Sequence, residues 1–200
     1  NYCIDTNSML AEVTRQLPRV EARGLHFVSL LGGLTRNFAA NPHDVMHRIA
    51  EKTGARAYVM PVPFFANSVE DREVLLAQRG VDEVFRLAQS ATLKVVGIGT
   101  ATADAQLVSS GMIEPCEIDE IAAAGARGEM LGDFFDETGA VVETTLSART
   151  LAVGYDSERE EDIVAIAGGP DKVAAIRAVL RSGRVAGLIT DETTARALLD

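Results

Sequence analysis

The sequence contains only two cysteines, no long apolar run and no recognisable targeting segment. Cys3 and Cys116 match no zinc or redox spacing, so a reducing cytoplasm is the simplest setting. No apolar stretch approaches the length that a membrane span requires, and no signal peptide opens the chain. We therefore expect a cytoplasmic domain with no membrane partner.

Basic residues are also scarce. The chain has 19 Lys and Arg against 29 Asp and Glu, which gives a net charge of −10. Because nucleic-acid binding depends on basic residues that contact the phosphates, we do not expect this acidic chain to bind a nucleic-acid backbone by itself. A helix-turn-helix pattern is absent, and the chain begins at Asn1 directly on a predicted strand, Tyr2–Ile4. We expect residues 1–200 to form one domain from which an upstream DNA-binding part is missing.

Signatures of catalysis are lacking too. His43 and His47 lie four residues apart, but no glutamate sits between them at the metalloprotease position and no third ligand is apparent. No serine–histidine or cysteine–histidine spacing supports a nucleophile, and no Gly-Lys-Ser/Thr completes a nucleotide-binding P-loop. We predict no metal, no cofactor and no catalytic residue.

Apolar runs of strand length recur along the chain, and four of them are nearly continuous: His26–Leu31, Leu93–Ile98, Ile163–Ala167 and Val185–Ile189. Strands that are covered on both faces lose polar alternation. A helical pattern with Val173, Ile176 and Leu180 on one face joins the last two runs, which demands a parallel pair. These patterns predict a doubly wound, mostly parallel α/β sheet with helices on both faces. Alternation near Met130–Leu151 predicts a small antiparallel appendage.

Local signals predict several boundaries. They place a helix over Asp71–Gln78, a second over Val81–Gln89 and the break between them at Gly80. They predict a glycine-punctuated turn over Gly125–Glu129. Thr190 is the expected N-cap of the last helix.

Small or hydrogen-bonding residues follow at least four of the predicted strands: Thr6-Asn7-Ser8, Gly32-Gly33, Gly99-Thr100 and Gly168-Gly169. In a parallel sheet these ends share one edge, where open α/β folds bind ligands. Lys172 adds positive charge beside the unpaired first amides of a helix. A phosphate suits this junction, and a glycine-rich turn without a ligand is the alternative.

Several segments occur together in an order typical of one family: LLGGL at 30–34, MPVPFF at 60–65, VVGIGTA at 95–101, GARGEMLGDFFDETG at 125–139, IAGGPDKVAAIRAVL at 166–180 and GLITDETTARALL at 187–199. Together they resemble the effector-binding domain of SorC-type bacterial transcriptional regulators. The resemblance implies a Rossmann-like fold similar to sugar-phosphate isomerases. It also implies a DNA-binding helix-turn-helix in the parent protein and a phosphorylated sugar or related metabolite as effector.

The resemblance further implies a ligand site formed by ten residues: Thr6, Asn7, Ser8, Gly32, Gly33, Asn41, Glu129, Gly168, Gly169 and Lys172. Hydroxyl, amide and ammonium groups suit a phosphate, while Glu129 can accept hydrogen bonds from sugar hydroxyls. The chain departs from the family pattern at two places. Asp5-Thr6-Asn7-Ser8 replaces a glycine-rich loop, and Ser109-Ser110 stands where some relatives place an arginine. Whether the effector carries a second anionic group stays open.

Two functions fit these features. The first is a sensor that binds a phosphorylated sugar or polyol and alters DNA binding of the parent protein. The second is a sugar-phosphate isomerase, which would need a carboxylate or lysine close to the sugar carbonyl. Glu129 and Lys172 are available, but no local motif ties either to that role. We predict the non-enzymatic sensor, assembled as a homo-oligomer (a dimer or tetramer) and contacting operator DNA only through the missing N-terminal domain.

Overall fold

The computed structural model describes residues 2–4, 8–34, 45–158 and 162–200, with backbone alone at 2–4, 8 and 34. The strands in these ranges are β1 Tyr2–Ile4, β2 His26–Leu34, β3 Arg56–Pro63, β4 Leu93–Val96, β5 Gly99–Thr100, β6 Ala126–Met130, β7 Asp133–Asp136, β8 Val141–Val142, β9 Asp162–Ile166 and β10 Gly187–Ile189. The α-helices are α1 Ser8–Gln16, α2 Met46–Thr53, α3 Val69–Leu76, α4 Arg79–Gln89, α5 Gln106–Ser109, α6 Pro115–Ala123, α7 Val173–Arg181 and α8 Glu192–Leu199. Short 3₁₀ turns cover Ser147–Arg149 and Pro170–Lys172.

Within the described ranges, six strands form a fully parallel sheet in the order β10-β9-β4-β1-β2-β3. Tyr2 of β1 pairs with Phe27 of β2 on one side and with Leu93 of β4 on the other. The chain therefore builds the sheet outward from β1 in one direction and then returns to build the other half. The reversal between β1 and β4 leaves a crevice at the carboxyl ends of these strands, where α/β sheets bind ligands.

Helices cover both faces of the parallel sheet, as predicted. Phe27 belongs to a hydrophobic cluster with Leu10 of α1 and Ile49 of α2, whereas the next residue, Val28, belongs to a cluster that includes Ile176 of α7. Successive strand residues point to opposite faces, so the two clusters lie on opposite sides of the sheet. This two-sided burial explains why the strands read as continuous apolar runs.

A second, antiparallel sheet has the order β5-β6-β7-β8 in the described part of the chain. The predicted strand Leu93–Ile98 is wrong in extent, because β4 ends at Val96 and Gly99 then pairs with Glu129 of β6. The predicted turn over Gly125–Glu129 is also wrong, since Ala126–Met130 is a strand. Periodicity shows that a segment is extended, but it does not show which distant strand will pair with it. The antiparallel appendage is confirmed and begins earlier than predicted.

Two predicted helix boundaries are wrong for local reasons. The break between α3 and α4 falls at Ala77-Gln78 instead of Gly80. Gly80 lies in the first turn of α4, and a Cβ added there would have no other part of the protein within 4 Å. The N-cap of α8 is Asp191 instead of Thr190, because the Asp191 carboxylate accepts a hydrogen bond from the Thr194 amide at 2.9 Å. No helix in the described ranges is long and apolar enough to cross a membrane.

Candidate functional site

A cavity opens beside the carboxyl end of β4, next to the point where the sheet order reverses. Its walls come from both sheets and from the turn before α7. The lining residues used below are Leu31, Phe64, Ile98, Gln106, Glu129 and Lys172. The structure thus brings Glu129 and Lys172, which lie far apart in sequence, to one site.

Lys172 reaches this cavity from the 3₁₀ turn that precedes α7. Its Nζ atom donates a hydrogen bond of 2.8 Å to the carbonyl oxygen of Ile98 in the β4–β5 connection. The side chain is half-buried. A lysine ammonium has three donors and a full positive charge, and this bond to a backbone carbonyl fixes where that charge lies.

Glu129 is a buried carboxylate on β6. Its Oε1 atom accepts a hydrogen bond of 2.7 Å from the amide of Gly132 in the β6–β7 turn. Leu131 and Gly132 both have positive φ, 55° and 82°, as a two-residue hairpin turn requires. A Cβ on Gly99 would lie 2.6 Å from Glu129 Oε2, so a larger residue there would displace the end of the Glu129 side chain. Ile98 and Gly99, which are consecutive in the chain, therefore contact the two candidate ligand-binding side chains.

The Gly168-Gly169 turn is hydrogen-bonded to side chains at the start of α8. The Gly169 amide donates to Thr194 Oγ1 at 2.8 Å and to Asp191 Oδ2 at 3.2 Å. Hydrogen bonds, first from the Thr194 hydroxyl and then from backbone amides that include Gly169, hold the pKa of Asp191 below its usual value. The carboxylate beside this turn is therefore an anion at neutral pH. The Gly169 amide is thus directed to α8, and the Lys172 ammonium is the group here whose full positive charge suits a phosphate.

The other predicted site residues fall into two groups. Gly32 packs tightly against β3, where a Cβ would lie 2.2 Å from the carbonyl oxygen of Pro63, while Gly33 has no atom within 4 Å of its Cβ position. Thr6, Asn7 and Asn41 lie outside the described residues, as does the side chain of Ser8, whose backbone begins α1.

Sequence reasoning missed Gln106 and Phe64 as cavity residues. Gln106 begins α5, which has four residues and is too short to show a helical period. Phe64 follows the edge strand β3 and carries no polar signal of its own. Among the described residues, no group of three or more metal-ligating side chains could hold a metal ion, and His43 lies outside them.

Comparison with known proteins places the chain in a family. The family model described as "Putative sugar-binding domain" matches residues 7–200. The chain belongs to this family. Among curated relatives of this domain, the Erythritol catabolism regulatory protein EryD of Brucella abortus (strain 2308) is 65% identical over 190 residues. That match covers 95% of this chain and 60% of EryD.

Transcriptional regulator LsrR of Klebsiella pneumoniae is 38% identical over 145 residues, which cover 70% of this chain and 45% of LsrR. This chain thus spans about three fifths of EryD and less than half of LsrR. Both relatives are named as regulators. The resemblance to SorC-type regulators is confirmed by the family match together with these relatives.

Among solved structures, the full-length sorbitol operon regulator SorC from Klebsiella pneumoniae superposes with a TM-score of 0.84 at 22% identity. The match covers all of this chain and 65% of that one. At this identity the likeness shows the fold alone. The mixed α/β fold, with one parallel and one antiparallel sheet, is therefore shared with the sugar-binding family.

Proposed function

We propose that this chain is the effector-sensing domain of a transcriptional regulator, that it binds a phosphorylated sugar or polyol, and that binding modulates the parent protein's affinity for DNA. The observation that carries the proposal is the meeting of Glu129 and Lys172 at one cavity in the sheet crevice. Family membership over residues 7–200 supports a sugar-type ligand.

The side chains of the cavity suit the two chemical ends of such a ligand. The Lys172 ammonium supplies charge-assisted hydrogen bonds to a phosphate, and the Glu129 carboxylate accepts from hydroxyl groups. Leu31 and Phe64 offer apolar walls for the carbon skeleton. EryD is named for erythritol catabolism, so a four-carbon polyol or its phosphate is the first ligand to test.

A sensor is supported better than an isomerase. The relatives reported above are named as regulators, and Glu129 and Lys172 make backbone contacts that position them. The fold kinship with sugar-phosphate isomerases stays a prediction. Counted one to six along the chain, the parallel strands have the order 3-2-1-4-5-6, which is that of a Rossmann fold.

The parent protein is expected to act as a homo-oligomer, a dimer or tetramer, and to meet operator DNA through an N-terminal domain beyond this chain. This chain spans only 60% of EryD and its match 45% of LsrR, which supports placing DNA binding in another part of the parent protein. Light scattering of the parent protein measures the assembly directly.

Calorimetry with erythritol and erythritol phosphate tests the ligand. Lys172→Ala should weaken binding of the phosphate about 10- to 150-fold, the range expected for loss of a charge-assisted hydrogen bond worth about 1.5–3 kcal/mol. Binding of the uncharged polyol should change little. Arg79→Ala is the matched control, because Arg79 is an exposed cation on α4 away from the cavity.

Glu129→Gln should change the preference among polyols, because it alters hydroxyl recognition without touching the phosphate contact. Equal affinity of Lys172→Ala and the parent for erythritol phosphate would place the phosphate elsewhere. Turnover of a sugar phosphate by the parent chain would overturn the sensor-only function.

A further inference from the structure

A second cavity, of about 190 Å³, lies between β6, α7 and the turn that joins β7 to β8. Its lining is Arg127, Glu137, Ala174, Arg177, Ala178 and Arg181. None of these residues lines the cavity of Glu129 and Lys172. Three arginines therefore line one space in a chain whose net charge is −10.

The α7 wall of this second cavity consists of two small residues, which are alanines, and two basic residues, which are arginines. Ala174, Arg177, Ala178 and Arg181 follow a spacing of three and four residues, which places them on one face of α7. The two alanines leave room above the helix, and the arginines are long enough to reach over that room.

The third arginine is directed there by an irregularity in β6. Ala126 pairs with Asp136 and Gly128 pairs with Phe135, so Arg127 is the extra residue of a β-bulge. Bulges redirect a side chain that regular pleating would place elsewhere. Arg127 is exposed, and Gly128 beside it packs directly on the backbone of Ala175.

Neutral backbone groups hold the other two arginines. Arg177 Nη2 donates to the carbonyl oxygen of Ala197 at 2.7 Å, and Arg181 Nη1 donates to the carbonyl oxygen of Glu137 at 2.6 Å. These bonds orient the guanidinium groups without neutralising them. In the described ranges, none of the three arginines forms an ion pair with a carboxylate.

The geometry points to a second ligand site: we propose that this cavity binds a small dianion of the phosphate class. Guanidinium groups present paired donors that match the oxygens of a phosphate. The volume of about 190 Å³ lies below the roughly 300 Å³ at which pockets begin to accept drug-sized ligands, which favours a small anion. The proposal does not depend on the function proposed for Glu129 and Lys172.

Inorganic phosphate is the probe, and calorimetry on the full 200-residue chain is the measurement. The test uses the Lys172→Ala background, so that phosphate binding at the first cavity is weakened and contributes less to the measured heat. In that background Arg127→Gln should weaken phosphate binding about tenfold, as loss of one charge-assisted hydrogen bond predicts. Glu137→Gln should strengthen it, because it removes the one carboxylate that lines the cavity.

Arg79→Gln is the control, since it removes the same charge from an exposed position on α4. Melting curves establish that each variant is folded. Opposite shifts for Arg127→Gln and Glu137→Gln, with no shift for Arg79→Gln, support the site. Equal affinities of Arg127→Gln and Arg79→Gln overturn it, as does the absence of phosphate binding up to about 10 mM.

A parallel titration with erythritol phosphate identifies the source of the anion. Tighter binding than inorganic phosphate assigns a phosphorylated metabolite to the site, and equal binding assigns free phosphate. Failure of the function proposed above would appear instead as equal affinity of Lys172→Ala and the parent for the phosphorylated polyol.

Discussion

Replacement of Gly128 by alanine should destabilise the domain, although alanine is the smallest possible addition. A Cβ at this position would lie 2.6 Å from the carbonyl oxygen of Ala175 and 3.1 Å from its Cα and carbonyl carbon. These atoms belong to the backbone of α7, which cannot move aside as a flexible side chain can. Either β6 or α7 must shift, in a region where Phe134 and Ile176 are fully buried.

We expect a loss of about 1–3 kcal/mol in the free energy of unfolding, the usual cost of overpacking a well-packed core. Gly80→Ala is the matched control. Its Cβ would have no atom within 4 Å, so the same substitution should leave stability unchanged or raise it by roughly 0.4–1 kcal/mol. Both variants change the unfolded chain alike, and their difference reports the contact between β6 and α7.

Urea unfolding followed by far-UV circular dichroism measures the difference, since the chain has no tryptophan for fluorescence. The midpoint should fall for Gly128→Ala with little change in the slope. Coincident unfolding curves for the two variants would refute the reasoning, because the close approach of β6 to α7 would then carry no free energy.

Two further predictions concern helix starts. Ser68→Ala should lower the free energy of unfolding by about 1 kcal/mol, because the Ser68 hydroxyl accepts from the Asp71 amide at the start of α3; a urea titration that shows no loss would contradict this. Asp191→Ala should lower the melting temperature at pH 7. Because the folded pKa of Asp191 is depressed, its contribution is complete above the unfolded value near 3.8 and is lost as pH falls through the folded pKa. The gap between the melting temperatures of parent and variant should therefore close in acid, and a gap that stays constant to pH 2 would count against the role of this carboxylate.

The sequence predicted those parts of the fold that local pattern determines. The β9–α7–β10 unit was predicted from apolar runs and a helical period, and it is confirmed as a parallel pair joined by a helix. The antiparallel pair β7 and β8, joined by the turn at Glu137-Thr138-Gly139, lies within the appendage predicted over Met130–Leu151. Both features depend on residues close together in the chain.

Contacts between distant residues were not predictable in the same way. Nothing local in Gly99-Thr100 indicates that it pairs with β6, and nothing in Gly168-Gly169 indicates that Asp191 will bind the Gly169 amide. The candidate site shows the same division. Lys172 was named from its place at a predicted helix start and Glu129 by resemblance, and the two meet at one cavity, whereas the position of Gln106 in its wall is revealed only by the folded chain.

The position of β1 has a consequence for how the chain is made. This three-residue strand is the only link between the two halves of the parallel sheet within the described residues, since β2 and β4 are not neighbours. During synthesis β1 can pair with β2 early, but its other edge has no partner until Leu93 has left the ribosome. The other edge of β4 likewise has no partner until β9 has been synthesised. A growing chain therefore carries an open strand edge through much of its translation, and open edges are where nascent proteins mispair.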